Sequence, residues 1–196
     1  MCISFFYWLD FGQGKHKTHP YVTRQQLDRT SVVYCDQVQR RQYEVTIVSG
    51  RLYWANRSLD SDYYYESDLV DCSDMLMYLM APDRKLYMHT KTVGKMQHSS
   101  FLAGAAVVFA GSCRVHHGWI TVLTNESGHY KPSNDALYKF IEFLRSCGLD
   151  TASMSVLERG RNAASRVVQF QGTATVQRPV VPKRPKPKKP KKTSSP

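Results

Sequence analysis

Two short clusters hold the side chains best suited to chemistry. The first is Gln97-His98-Ser99-Ser100, directly ahead of the apolar run Phe101-Leu102-Ala103-Gly104. The second is Ser127-Gly128-His129-Tyr130, followed by Lys131 and Pro132. A neutral imidazole donates from one nitrogen and accepts at the other, and Ser, Gln and Tyr add further donors and acceptors. Gathered around one cavity, such groups orient a polar ligand, and an imidazole also moves protons. The same residue types serve at strand ends, where short polar side chains cap local backbone. The two readings separate on one question: whether the intervening chain returns the second cluster to the first.

Other chemistry is less well supplied. The seven histidines show no H-x-x-x-H and no paired Cys/His spacing. Adjacent His116 and His117 fall on opposite faces of a strand or in a turn, so no metal site is expected. The common NTPase, zinc-protease and serine-hydrolase signatures are absent from the sequence. The cysteines are Cys2, Cys35, Cys72, Cys113 and Cys147, odd in number, widely spaced and without C-x-x-C. They predict buried thiols in a reducing compartment rather than a disulfide framework.

The net charge of +11 is concentrated at one end. From Arg159 onward the chain has eleven basic residues and no acid, so the remaining 16 basic residues balance all 16 acids. A neutral body is not expected to bind nucleic acid. Residues 178–196 form a Pro/Lys-rich basic tail, expected to be extended and disordered, that suits a nuclear localisation signal or an arm for nucleic acid or another polyanion. The expected localisation is nuclear, cytoplasmic or both. No apolar run reaches the length of a membrane span, so no membrane insertion is expected. Residues 2–9 are apolar, lack a basic lead and meet Asp10, which predicts a packed strand rather than a signal peptide. Residues 60–74 carry six acids and no base. They lack the spacing of a calcium-binding loop and are expected to be an exposed acidic loop able to pair with the basic tail.

The elements that must position the two clusters follow from periodicity. Residues 1–42 form a poorly defined N-terminal extension, with a short helix near 24–29. Tyr43, Val45 and Ile47 alternate, Ser49-Gly50 turns, and Leu52-Tyr53-Trp54 returns, a hairpin pattern. Residues 75–80 and 85–89 read as two further strands. Two short strands are expected around 107–109 and 113–115, with reversals near Gly111 or Gly118, before a strand over 119–124. Ser133, Asp135 and the apolar face Leu137, Phe140, Ile141 and Leu144 predict a helix over 133–147, closed by Gly148. A last strand is expected over 154–157, then a polar linker over 159–177. The fold class is α+β: one antiparallel, β-rich domain over residues 43–158 with one clear C-terminal helix.

The eight residues Gln97-His98-Ser99-Ser100-Phe101-Leu102-Ala103-Gly104, then Ala110-Gly111, then Ser127-Gly128-His129-Tyr130-Lys131-Pro132 closely resemble the core of the plant IQM family. These are IQ-motif-containing, calmodulin-binding proteins, and similar modules occur in fungal and bacterial toxin-like proteins. Residues 43–52 and Lys85-Leu86-Tyr87 extend the likeness, which covers about 43–157. The resemblance implies a signalling or interaction module that recognises a polar ligand or protein partner. Gln97, His98, Ser99, Ser100, Gly104, Ser127, Gly128, His129 and Tyr130 would form its site, with calmodulin as the family's partner. The IQ motif itself is missing: the nearest basic segment, residues 24–41, lacks both its Ile-Gln pair and its Gly. The core is also similar to the NAD-gripping elements of ADP-ribosyltransferases. That likeness implies NAD as cofactor, His98 and Ser99 on the nicotinamide ribose, a stacking Tyr130, and Glu158 as the acid facing the ribosyl transition state. A third reading is a basic-tailed nuclear scaffold protein.

Overall fold

The computed structural model describes residues 5–17, 20–57, 64–159 and 165–169. Among the described residues, eight strands form one sheet in the order β2-β1-β4-β3-β5-β6-β7-β8. Strands β1 (Glu44–Val48) and β2 (Arg51–Trp54) make the expected hairpin. Its turn residues Ser49 and Gly50 both have positive φ, the twist that a two-residue hairpin requires. Strands β3 (Cys72–Met80) and β4 (Leu86–Thr90) pair antiparallel, as do β5 (Phe109–His116) and β6 (Trp119–Thr124).

One pair departs from the antiparallel expectation. β7 (Ser155–Arg159) runs parallel to β6. Parallel neighbours cannot be joined by a tight turn, and the connection here is the 13-residue helix Asn134–Ser146. Its start is capped as predicted, with the Ser133 hydroxyl accepting the Ala136 N–H at 3.1 Å. Gly148, at φ +85, ends it. β8 (Ser165–Gln169) then pairs antiparallel with β7, inside the segment expected to be linker.

Strand alternation divides the core into two layers. Leu76, Tyr78 and Met80 of β3 face Leu137, Phe140, Ile141 and Leu144 of the long helix. Met77 and Leu79 face the other way, toward Tyr87, Phe101 and Cys35. Cys35 comes from the N-terminal extension, and its N–H donates to the Ser100 carbonyl at 2.9 Å, so this part of the extension is packed onto the core. Helix α2 (Arg24–Thr30) appears where the sequence placed it, capped by Thr23.

Several expectations are corrected. Residues 5–9, within the stretch expected to be a strand, belong to the helix Phe5–Asp10, which is α1. The acidic stretch is not one exposed loop: residues 58–63 lie outside the described residues, but Glu66–Asp68 is a helical turn in which buried Asp68 accepts the Tyr65 N–H at 3.0 Å. Residues 72–74 already belong to β3. The Pro/Lys tail lies outside the described residues. Among the described residues, no helix is long and apolar enough to cross a membrane.

The remaining correction concerns Gly111. It marks no reversal but sits inside the continuous strand β5, opposite Tyr78. A Cβ there would lie 2.0 Å from the Thr124 carbonyl oxygen and 2.8 Å from the Tyr78 hydroxyl. That hydroxyl donates to the same carbonyl at 3.1 Å, so the glycine leaves room for a buried cross-sheet bond. Gly111→Ala should therefore cost about 2 kcal/mol or more in urea unfolding. Gly128→Ala, where an added Cβ meets nothing within 4 Å, should leave stability within about 0.5 kcal/mol of the parent.

Candidate functional site

The first cluster is a helical turn, α3 (His98–Phe101), rather than the start of a strand. Ser100 begins it: its hydroxyl accepts the Gln97 N–H at 3.0 Å while its own N–H donates to the Gln97 carbonyl at 2.9 Å. Phe101, fully buried against Tyr43 and Tyr87, anchors it. Ala103 and Gly104 leave it in left-handed conformation, and the Gly104 N–H donates to the Ser99 carbonyl at 2.8 Å. The turn aims His98 at the sheet, where Nε2 meets the Gly111 carbonyl at 2.7 Å. A carbonyl only accepts, so Nε2 carries the proton and Nδ1 is the acceptor of the neutral ring. Burial pushes the His98 pKa below its ordinary value; the bond to Gly111 works against this, and the charges of Lys91 and His129 add to the lowering.

The second cluster folds onto the first. The Ser127 hydroxyl accepts the Tyr130 N–H at 3.3 Å, and the Ser127 carbonyl accepts the Lys131 N–H at 3.2 Å. The Tyr130 hydroxyl then donates to the Ala105 carbonyl at 2.9 Å, just past Gly104. Burial holds the Tyr130 pKa up at about 12, so this donor keeps its proton. His129 packs edge-on to the Tyr130 ring, centroids 4.5 Å apart.

Buried Asn125 locks the frame. Its amide donates to the Asn134 side-chain oxygen at 2.8 Å and to the Pro132 carbonyl at 3.2 Å, and its oxygen accepts the Arg159 N–H at 2.8 Å. One side chain thus joins the ends of β6 and β7 to the start of the long helix, α4.

A cavity of about 380 Å³ opens at these carboxyl ends. His98, Ser112, Thr124, Asn125, Ser127 and Gly128 supply polar lining, and Met75, Met77 and Leu157 supply apolar wall. Lys91, Arg159 and Glu126 bring charge to its rim. The size suits a small ligand or one side chain of a larger one.

Of the residues singled out in the sequence, His98, Ser127 and Gly128 line this cavity. Gln97, Ser99, Ser100, Gly104 and Tyr130 shape the two turns that frame it, and His129 packs on Tyr130. Glu158 does not join them. Leu157 and Arg159 line the cavity, so Glu158 between them faces the other side of the sheet, where one oxygen accepts from the Asn134 amide at 3.3 Å. Strand alternation places Glu158 away from the His98 cavity, and the carboxylate at the cavity is that of Glu126. Sequence reasoning passed over Lys91, Ser112, Asn125 and Arg159. Only Asn125 carried a local signal, as the first residue of the Asn-Glu-Ser-Gly turn. Cys113 offers no nucleophile: complete burial pushes its thiol far up.

Residues 39–137 match the family described as "IQ motif-containing protein middle domain". The IQ domain-containing protein IQM2 of Arabidopsis thaliana is 31% identical over 153 residues, which is 78% of this chain and 25% of that protein. IQM5 of the same plant is 36% identical over 143 residues, covering 72% of this chain and 27% of its own length. For IQM3 the figures are 30% over 161 residues, 82% and 34%. The chain thus spans between a quarter and about a third of the length of these relatives. No solved structure matches.

The buried imidazole of His98 makes stability depend on pH. Burial lowers its pKa, and partial desolvation lowers those of half-buried His89 and of His129, which is exposed. Below about pH 6.5 the unfolded chain binds protons that the folded chain refuses. Stability is therefore complete above that pH and falls as pH drops toward the folded-state values. Urea unfolding at pH 7.5 and pH 5.0 should show this loss, and it should be smaller in His98→Gln, whose amide can still donate to Gly111 but does not titrate.

Proposed function

The chain belongs to the IQM family of IQ-motif-containing proteins, and from that premise we propose that its domain is a binding module of a signalling protein. The cavity at the ends of β6 and β7 takes a small polar ligand with an anionic group. The observation that carries this reading is the convergence of both sequence clusters on one cavity with two cations at its rim. His98 and Ser127 come from the two clusters, while Lys91 and Arg159 arrive from separate strand ends. Lys91 and Arg159 suit a carboxylate or phosphate, with Arg able to grip two oxygens at once. Glu126 and the accepting nitrogen of His98 call for donors elsewhere on the ligand, which disfavours a bare polyanion. Ser99 and Tyr130 act by shaping the walls, and His129 by packing on Tyr130.

Transfer of ADP-ribose is not the reading favoured, because Glu158 lies on the helix-covered face. Nor does the segment over residues 24–41 form one long amphipathic helix. It contains the seven-residue α2 and, apart from it, a 3-10 turn at Gln39–Tyr43. A helix-in-groove contact with calmodulin needs a longer continuous apolar face.

The test is titration calorimetry of the chain with inorganic phosphate, citrate, ADP-ribose and NAD. At least one should bind, and the Lys91→Ala/Arg159→Ala double variant, whose exposed side chains leave the core intact, should weaken it tenfold or more. Binding unchanged in that variant, or no binding by any of the four, would overturn the proposal. Labelling of protein from labelled NAD would instead favour the transferase.

A further inference from the structure

We infer that Asp71, His116 and His117 form a surface site for a divalent transition-metal ion, with zinc the best match. The site lies at the β5–β6 turn, apart from the cavity. One ligand atom from each of the three residues falls within 4.8 Å of the others.

The backbone explains how neighbouring histidines come to the same side. His116 is the last residue of β5 and His117 the first of the two-residue turn, with φ +47, followed by Gly118 at φ +78. On a flat strand their side chains would diverge. The left-handed turn curls the second ring back over the first, with centroids 4.3 Å apart. Strand pairing supplies the third member: Cys72 is opposite Val115, so Asp71 falls beside His116. The His117 N–H donates to an Asp71 oxygen at 3.2 Å, which fixes the carboxylate toward the turn.

The distances point to a metal. His116 Nδ1 lies 3.3 Å from one Asp71 oxygen, and His117 Nδ1 lies 3.4 Å from the other. A charge-assisted hydrogen bond is shorter, about 2.7–2.9 Å. A tetrahedral ion with bonds of about 2.0–2.1 Å separates its ligand atoms by about 3.3–3.4 Å, and each Nδ1 stands at that distance from its own Asp71 oxygen. Two imidazoles and one carboxylate are a donor set for zinc, with water completing the shell. All three residues are exposed, so an ion reaches them from solvent without opening the fold. The adjacent hollow contains Arg51 and Glu66. The guanidinium of Arg51 lies over the Trp119 ring, 4.9 Å from its centroid. A bound ion would staple the start of β3 to the β5–β6 hairpin.

The experiment is calorimetric titration of the full chain with zinc chloride, with His116 and His117 ring signals followed by NMR. The expected result is a site of one-to-one stoichiometry that broadens or shifts both rings. It should weaken tenfold or more in Asp71→Asn and in His116→Ala/His117→Ala, both of which should keep the parent circular dichroism. No zinc binding, or binding of the same strength in the double variant, would overturn the assignment and place any uptake on other residues. The Asp71→Asn variant separates ligation from hydrogen bonding, because its amide oxygen still accepts the His117 N–H while the charge is gone.

Discussion

The hydrogen bond from His98 Nε2 to the Gly111 carbonyl joins the parts of this domain that matter most. It crosses from a single helical turn to the middle of β5, and both ends are buried. In net terms such a bond contributes only about 1 kcal/mol, but breaking it strands a donor or an acceptor out of water at a cost of about 1–3 kcal/mol. The turn has few alternatives, since four helical residues cannot be stable alone. Phe101 gives it apolar anchorage and His98 gives it direction. Gly111 serves the opposite face of the sheet as well, because its missing side chain is what lets Tyr78 reach the Thr124 carbonyl. A contact on one layer and a contact on the other thus depend on one residue, and the cavity lies where they meet.

The parallel pair β6–β7 decides where that cavity opens. A crossover through α4 carries the chain from the end of β6 back to the start of β7, so both strands finish at the same edge. The loop between β6 and α4 must then run over that edge, and it contains Asn125, Glu126, Ser127 and Gly128. Such a loop exposes backbone groups that need partners. Asn125 and Ser127 supply them from buried side chains, which makes the loop a fixed wall. Tyr130 then bonds to Ala105, so the second cluster leans on the exit of the first. The two clusters are turn chemistry and a shared cavity wall at once: some of their side chains hold the backbone so that others can face the cavity.

Local rules account for the elements that were legible in the sequence. The cap at Ser133, the spacing of Leu137, Phe140, Ile141 and Leu144 and the stop at Gly148 are all written within one helix. The turns at Ser49-Gly50 and His117-Gly118 are likewise local. What was not legible depends on partners far along the chain. The direction of β7 is set by α4 packing on the sheet, not by residues 154–157 themselves. A glycine that makes room for a tyrosine hydroxyl looks, in sequence, like a glycine that makes a turn. The side of the sheet that Glu158 faces changes with a shift of one residue in register. Lys91 and Arg159 sit at the ends of strands with no pattern to mark them, and only the assembled sheet brings them together.

Burial decides what each histidine can do. His98 has one nitrogen committed to a carbonyl and a pKa pushed down, so it remains a neutral, directed hydrogen-bonding group. An ion could take its Nε2 only by breaking the bond that holds α3 in place. His116 and His117 are the converse. Both are exposed, and their Nδ1 atoms face a carboxylate at a spacing too long for a strong hydrogen bond. Coordination there would cost no core contact. The same residue type therefore reads as frame in the buried layer and as ligand at the turn. The difference lies in solvent access and in the left-handed backbone at His117, neither of which is visible in the pair of letters H-H.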